Sequence, residues 1–311
     1  MTTHAAIAQE YVEPAKGNEK TTTNPNEKNK SQENEFEVDC NSDLEYDQDA
    51  DMVYHMKTSK PFTGTCRSYY EDGSMEMETK FVKGKIDGES TKLYKPNDKG
   101  QQFKEYQLNY VLGNPEGTWE YFYDNGRRAW TETYKGGFKD GPCNYFYSDG
   151  KPKKEELWKG NLKNGVCKEY YPGGKIKQEI EYKDGIMNGL FKTYYENGQI
   201  EYEAKYINGV QDGEINMYYQ NGQMSSQLYY KMGVETGEWK TWFDDAKERS
   251  NCKYVITKKE GKEVGVKDGI AKEFYKDGQL KKEEKWVMGK RHSIEAYDEF
   301  GNKLDPDEIK D

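Results

Sequence analysis

Apolar and polar positions alternate along most of this chain, interrupted by glycine at fixed intervals. The pattern is cleanest from Gly189 to Asp212, GLFKTYYENGQIEYEAKYINGVQD, and the next copy opens at Gly213. Phe191, Tyr195, Ile200, Tyr202, Ala204 and Tyr206 fall on one side of the alternation, and Lys192, Tyr194, Glu201, Glu203 and Lys205 on the other. A period of two broken by glycine turns predicts paired strands with one apolar and one polar face. Units open at Gly64, Gly88, Gly117, Gly141, Gly165, Gly189, Gly213, Gly237 and Gly269. Their spacing is 24 residues except after Gly88, where it is 29, and after Gly237, where it is 32. Such a period means an array of one supersecondary unit.

The pairs Asp72-Gly73, Asn125-Gly126, Asp149-Gly150, Asn197-Gly198, Asn221-Gly222 and Asp277-Gly278 signal two-residue type I′ hairpin turns. That register sets Glu196 against Gln199, Tyr195 against Ile200 and Lys192 against Glu203. The equivalent pairs in other units, Arg67–Glu78, Lys168–Glu179, Lys272–Glu283 and Asn216–Gln227, are complementary across the strands. A lone hairpin is marginal in water, so neighbours must stack. The fold class is all-β: an elongated single twisted antiparallel sheet of about nine 24-residue hairpins, on the order of 85 Å long for about eighteen strands.

Composition suits that thin sheet. Hydrophobic and charged residues each make up 33% of the 311, and much of the apolar share is 27 tyrosines, which keep one end wet. The net charge is −10, and residues 1–62 hold 13 acidic against 6 basic side chains. The nearly neutral remainder offers no footprint for nucleic acid and does not favour direct membrane association. No apolar run reaches the length of a membrane span. Five cysteines without a CxxC pair exclude a standard zinc site. Cys66, Cys143 and Cys167 share one position in their units and read as core, leaving Cys40 and Cys252 as a pair or as exposed thiols.

Residues 1–9 read either as a signal-peptide remnant, which favours a secreted, periplasmic or cell-envelope protein, or as an ordinary N-terminus, which favours the cytoplasm. Residues 10–50 are polar and read as a disordered acidic tether. A capping strand at 51–63, the array at 64–292 with insertions in 88–116 and 237–268, and a C-terminal cap and tail at 293–311 complete the division.

The phrase G-x-x-x-x-Tyr-Tyr-x-Asn-Gly, then Glu and Tyr-x-x-Gly, as at Gly189–Gly209 and Gly213–Gly233, resembles the MORN-repeat variant of bacterial YwqK-type antitoxin-like proteins. The resemblance covers roughly residues 52–304. It implies a β-sheet scaffold that binds proteins, and its family label implies an antitoxin or immunity role.

Paired aromatics recur in every regular unit. The first of each pair, Tyr69, Phe122, Phe146, Tyr170, Tyr194, Tyr218, Trp242 and Phe274, falls on the polar face. Such a ladder either grips a partner or a sugar, or packs on neighbouring Lys and Glu stems. The second of each pair reads as structural. The insertions offer contact loops: Lys95, Pro96 and Asn97 in the second unit, and Lys258, Lys259 and Glu260 in the eighth, where Asp244 to Ser250 replaces the usual turn and Thr257 to Asp268 reads as a long charged loop. No nucleophile elbow, phosphate loop or zinc-protease motif occurs. The expectation is a non-enzymatic scaffold that needs no cofactor or metal and binds another protein, with an antitoxin or a carbohydrate-binding surface as alternatives.

Overall fold

The computed structural model describes residues 37–305 and residue 309. The signal remnant at 1–9 and the tether as far as residue 36 lie outside the described residues. Strands run from Gly64–Tyr69 to Lys290–Ala296 in one sheet of 24 strands, each hairpin pairing antiparallel with the next. The sheet is mixed rather than wholly antiparallel, because Glu37–Asp39 pairs in parallel with Gly64–Tyr69.

The expected pairs within hairpins are present: Arg67 faces Glu78, Lys168 Glu179, Lys192 Glu203, Asn216 Gln227 and Lys272 Glu283. The register at the tips differs. Tyr194, not Tyr195, faces Ile200. Tyr195 N–H bonds to Gln199 O at 2.9 Å and Gly198 N–H to Tyr195 O at 2.8 Å. Of the loop residues Glu196, Asn197 and Gly198, only the glycine has a positive φ, 93°, which makes this a three-residue loop instead of a type I′ turn. Asn197 earns its place by accepting the Gln199 N–H on Oδ1 at 3.0 Å. The two-residue type I′ turn is the other one in the unit, where Asn208 and Gly209 have φ of 49° and 83°. An Asn-Gly pair serves both geometries, so local sequence did not separate them.

Stacking is fixed at both edges. Near the three-residue loops, each second aromatic donates its hydroxyl to a carbonyl of the following unit. Tyr171 reaches Tyr194 O, Tyr195 reaches Tyr218 O and Tyr219 reaches Trp242 O, each at 2.7 Å. Phe243 has no hydroxyl and skips this rung. At the opposite edge, Gly185, Gly209 and Gly233 donate N–H to Lys163 O, Met187 O and Gln211 O of the preceding unit. The second aromatics are thus structural as expected, but through these bonds to backbone. Tyr195→Phe should cost about 1 kcal/mol, visible as faster amide exchange confined to the joint between the units of Gly189 and Gly213.

The N-terminal region departs furthest from expectation. Residues 37–50, expected as tether, contain the parallel strand Glu37–Asp39 and the strand Leu44–Asp47. The capping strand expected at 51–63 is two strands, Met52–His55 and Lys60–Pro61, which join Leu44–Asp47 in a separate three-stranded sheet. Leu44, Val53, Phe62, Cys66 and Phe81 form its shared core with the first unit. Cys40 and Cys66 are disulfide-bonded with Cα atoms 5.0 Å apart. This corrects the expectation that Cys40 would pair with Cys252 or stay free: the parallel return of 37–40 brings Cys40 beside the first unit. Cys143, Cys167 and Cys252 are free thiols, and burial pushes all three upward in pKa.

Candidate functional site

Each opening glycine faces an aromatic ring across the hairpin: Phe81, Tyr110, Tyr134, Trp158, Tyr182, Tyr206, Tyr230, Tyr254 and Trp286 lie opposite Gly64, Gly88, Gly117, Gly141, Gly165, Gly189, Gly213, Gly237 and Gly269. Gly189 tolerates no side chain. Its φ is 135°, and a methyl group there would overlap the Glu181 carboxylate. The ring column runs the length of the array, and every member except Phe81 is half-buried. Phe81 is buried because the three-stranded N-terminal sheet packs on it.

Further rings thicken this face in the second and third units. Trp119 lies 5.0 Å from Tyr110 and 4.5 Å from Tyr134, and Tyr121 stacks on Trp130 at 4.2 Å. Burial raises the pKa of Tyr106 to about 12 and drives Tyr110, Tyr121 and Tyr134 further the same way, so these phenols stay neutral.

Carboxylates stand within the same face. Glu156 is 5% exposed. Its Oε2 accepts the Trp158 indole N–H at 3.1 Å, while Oε1, which lacks a well-aligned hydrogen bond, is met by Lys154 Nζ at 2.6 Å and Lys163 Nζ at 2.8 Å. Burial pushes the Glu156 carboxyl upward, but the two ammonium groups outweigh it and hold the pKa below the usual value. Glu284 repeats the arrangement with Trp286 and Arg291, and Glu132 with Tyr134 and Lys139. Each is a charge stabilised by its own neighbours. Among the described residues no group of three His, Cys, Asp or Glu side chains is placed to hold a metal.

The first aromatics of the pairs sit on the polar face. Tyr69 is 48% exposed, while Phe122, Phe146, Tyr170, Tyr194, Tyr218, Trp242 and Phe274 are half-buried. Tyr170, Tyr194 and Tyr218 donate to Glu155, Glu179 and Glu203 of the preceding unit at 2.9, 2.7 and 3.0 Å. Where the equivalent residue is Gln107, Thr131, Gln227 or Asn251, the ring is Phe122, Phe146, Trp242 or Phe274, without a phenol. The hydroxyl follows the glutamate, which ties it to joining units. Leu93 is the exception, and there Glu78 takes Arg67 instead.

Burial, then the hydrogen bond to glutamate and its charge, raise Tyr170, Tyr194 and Tyr218 from 10.0 to about 12. The folded state therefore holds these protons more tightly than the unfolded one. Stability present below pH 10 should fall as pH rises toward about 12, and the slope should flatten in the triple Tyr→Phe variant, measured by urea unfolding at stepped pH.

The insertions are more regular than their sequences suggest. Lys95 and Asn97 are exposed and Pro96 half-buried. The tip closes through Gly100 N–H to Asn97 O at 2.8 Å, on an arm lengthened beyond Tyr94 and Phe103. In the eighth unit Asp244 to Ser250 is not irregular: Ala246, at φ 66°, takes the glycine's place in the usual loop, with Phe243 N–H bonded to Lys247 O. Thr257 to Asp268 is not a loop but a prolonged hairpin, with Glu248–Lys259 paired to Lys262–Lys267. The exposed Lys258, Lys259 and Glu260 lie at its tip. The structure does not bring the two insertions and the first-aromatic ladder together into one site. The ring column opposite the opening glycines extends the apolar side on which the sequence places Tyr206, and the signal for it is that each ring follows its glycine by 17 residues, except Tyr110, which the insertion sets 22 after Gly88.

The family described as MORN repeat variant matches at residues 62–83, 139–159, 163–184, 187–208, 211–232 and 267–287. The unmatched stretches contain the two units with insertions. No curated protein matches. A solved structure titled "Crystal Structure of TcdB2-TccC3-TEV" is 10% identical, with 84% of this chain and 17% of that chain covered and a TM-score of 0.16. The chain thus spans less than a fifth of that protein, and the likeness carries no argument. Six matches, laid over hairpins that share one register and one set of stapling contacts, show that the chain belongs to the MORN repeat variant family.

Proposed function

We propose that the protein is a non-enzymatic scaffold that binds another protein along its aromatic face. The observation that carries this reading is the contrast along the ring column. Phe81, under the N-terminal sheet, is buried, while the rings from Tyr110 to Trp286 are half-exposed and, among the described residues, have no second sheet over them. The cap acts as an internal example of what a partner would do, since contiguous apolar surface on a soluble protein marks an interaction site. The Cys40–Cys66 disulfide further favours an oxidising compartment.

Affinity capture from the native cell with cross-linking mass spectrometry tests this reading. Links are expected through Lys139, Lys163 and Lys267, which flank the ring column. Links confined to Lys168, Lys192 and Lys272 on the opposite face would refute it.

A further inference from the structure

The residue two before an opening glycine lies across from the ring column of the preceding strand. Tyr134 meets Lys139, Trp158 meets Lys163, Tyr254 meets Lys267 and Trp286 meets Arg291. These cations lie by rings: Lys139 and Lys163 Nζ are 5.4 and 5.7 Å from the Trp158 ring, and Lys267 Nζ is 5.1 Å from Trp286. Lys139 also pairs with the half-buried Glu132, and Lys163 and Arg291 with the buried Glu156 and Glu284. In those units the chain supplies cation, carboxylate and ring together.

The seventh unit, at its joint with the eighth, inverts the arrangement. Glu235 stands opposite Tyr230. Beside it, Trp239 has Tyr230 at 5.4 Å and Tyr254 at 4.5 Å. Glu235 is half-buried, and among the described residues its carboxylate makes no hydrogen bond or ion pair. The prolonged hairpin of the eighth unit folds against it. A methyl group on Gly265 would lie 2.5 Å from the Glu235 carbonyl and 2.9 Å from its Oε2, so the bare backbone leaves room for the carboxylate.

We propose that Glu235, Tyr230, Trp239 and Tyr254 receive one cationic side chain, lysine or arginine, from the protein partner. This inference rests on the scaffold reading above. A cation over these rings gains from their negative faces. A carboxylate half removed from water gains most from a charged donor. Lys163, with Glu156 and Trp158, shows the same three groups satisfied within the chain.

The test is a titration of the full chain, followed by NMR at the Trp239 indole N–H. The probes are N-acetyl-arginine amide and N-acetyl-lysine amide, with the neutral citrulline analogue as control. Saturable shifts are expected with both cations and at least about tenfold weaker binding of the citrulline analogue. Glu235→Gln should weaken cation binding about tenfold. Glu235→Lys should fill the site as in the other units, abolishing binding while keeping the thermal midpoint. Equal binding of the neutral analogue, or an unchanged titration of Glu235→Lys, would overturn the proposal. If cross-links to the aromatic face persist in that case, only the cation site falls; if they too are missing, the scaffold reading falls with it.

Discussion

Ala204→Glu should destabilise the protein by about 3 to 5 kcal/mol, and adding Gln211→Lys should return most of that loss. Ala204 is 3% exposed and occupies the place held in other units by Glu132, Glu156 and Glu284. A carboxylate is tolerated at Glu156 because Lys154 and Lys163 close on it. The equivalent neighbours of Ala204 are Tyr202 and Gln211, and the Gln211 amide already donates to the Tyr202 and Tyr206 hydroxyls at 2.8 and 3.2 Å. The new carboxylate would meet no cation, and burial would favour its protonated form. The deficit should therefore shrink as pH falls and the carboxyl becomes neutral. Glu156 has the opposite sign: its lowered pKa contributes stability at neutral pH that is lost as pH falls through its folded value. Urea unfolding of the single and double variants forms a thermodynamic cycle. Equal loss in both would show that the cation is not what makes the carboxylate tolerable.

Cys40→Ser should cost about 3 kcal/mol, with the loss confined to the N-terminal end. The disulfide closes a separation of 26 residues and holds the three-residue parallel strand against Gly64–Tyr69. Three parallel pairs and the Cys40 N–H to Arg67 O bond at 2.9 Å are little on their own to hold that edge. Stability in a stacked array is a sum of local and nearest-neighbour terms. Limited proteolysis should thus cut the variant near residues 37–43 and leave the units from Gly117 onward intact. Alkylation of the denatured, unreduced wild type should label Cys143, Cys167 and Cys252 alone. Labelling of Cys40 or Cys66 would contradict the pairing.

The alternation of Phe191 with Lys192 and of Glu203 with Ala204, repeated every 24 residues, determined the strands, the hairpins and the register of their bodies, because pairing within a hairpin is local. The same regularity gave the polar-face ladder and the buried position of Cys143 and Cys167. What lay beyond the sequence were contacts between segments far apart or between neighbouring units. The return of residues 37–40 onto the first unit, and with it the Cys40–Cys66 bond, depends on a parallel pairing that no local pattern encodes. The stapling of Tyr195 to Tyr218 O crosses 23 residues and is visible only once hairpins are stacked. The tertiary structure likewise decided which turn is type I′, because Asn-Gly satisfies both loops and the strand twist around each one selects between them. It also showed that Glu156 and Glu284, which are buried, and the half-buried Glu132 each meet a cation of the following strand while the Glu235 carboxylate is left without one, since a cross-strand partner depends on the neighbouring strand as well as on the charge's own.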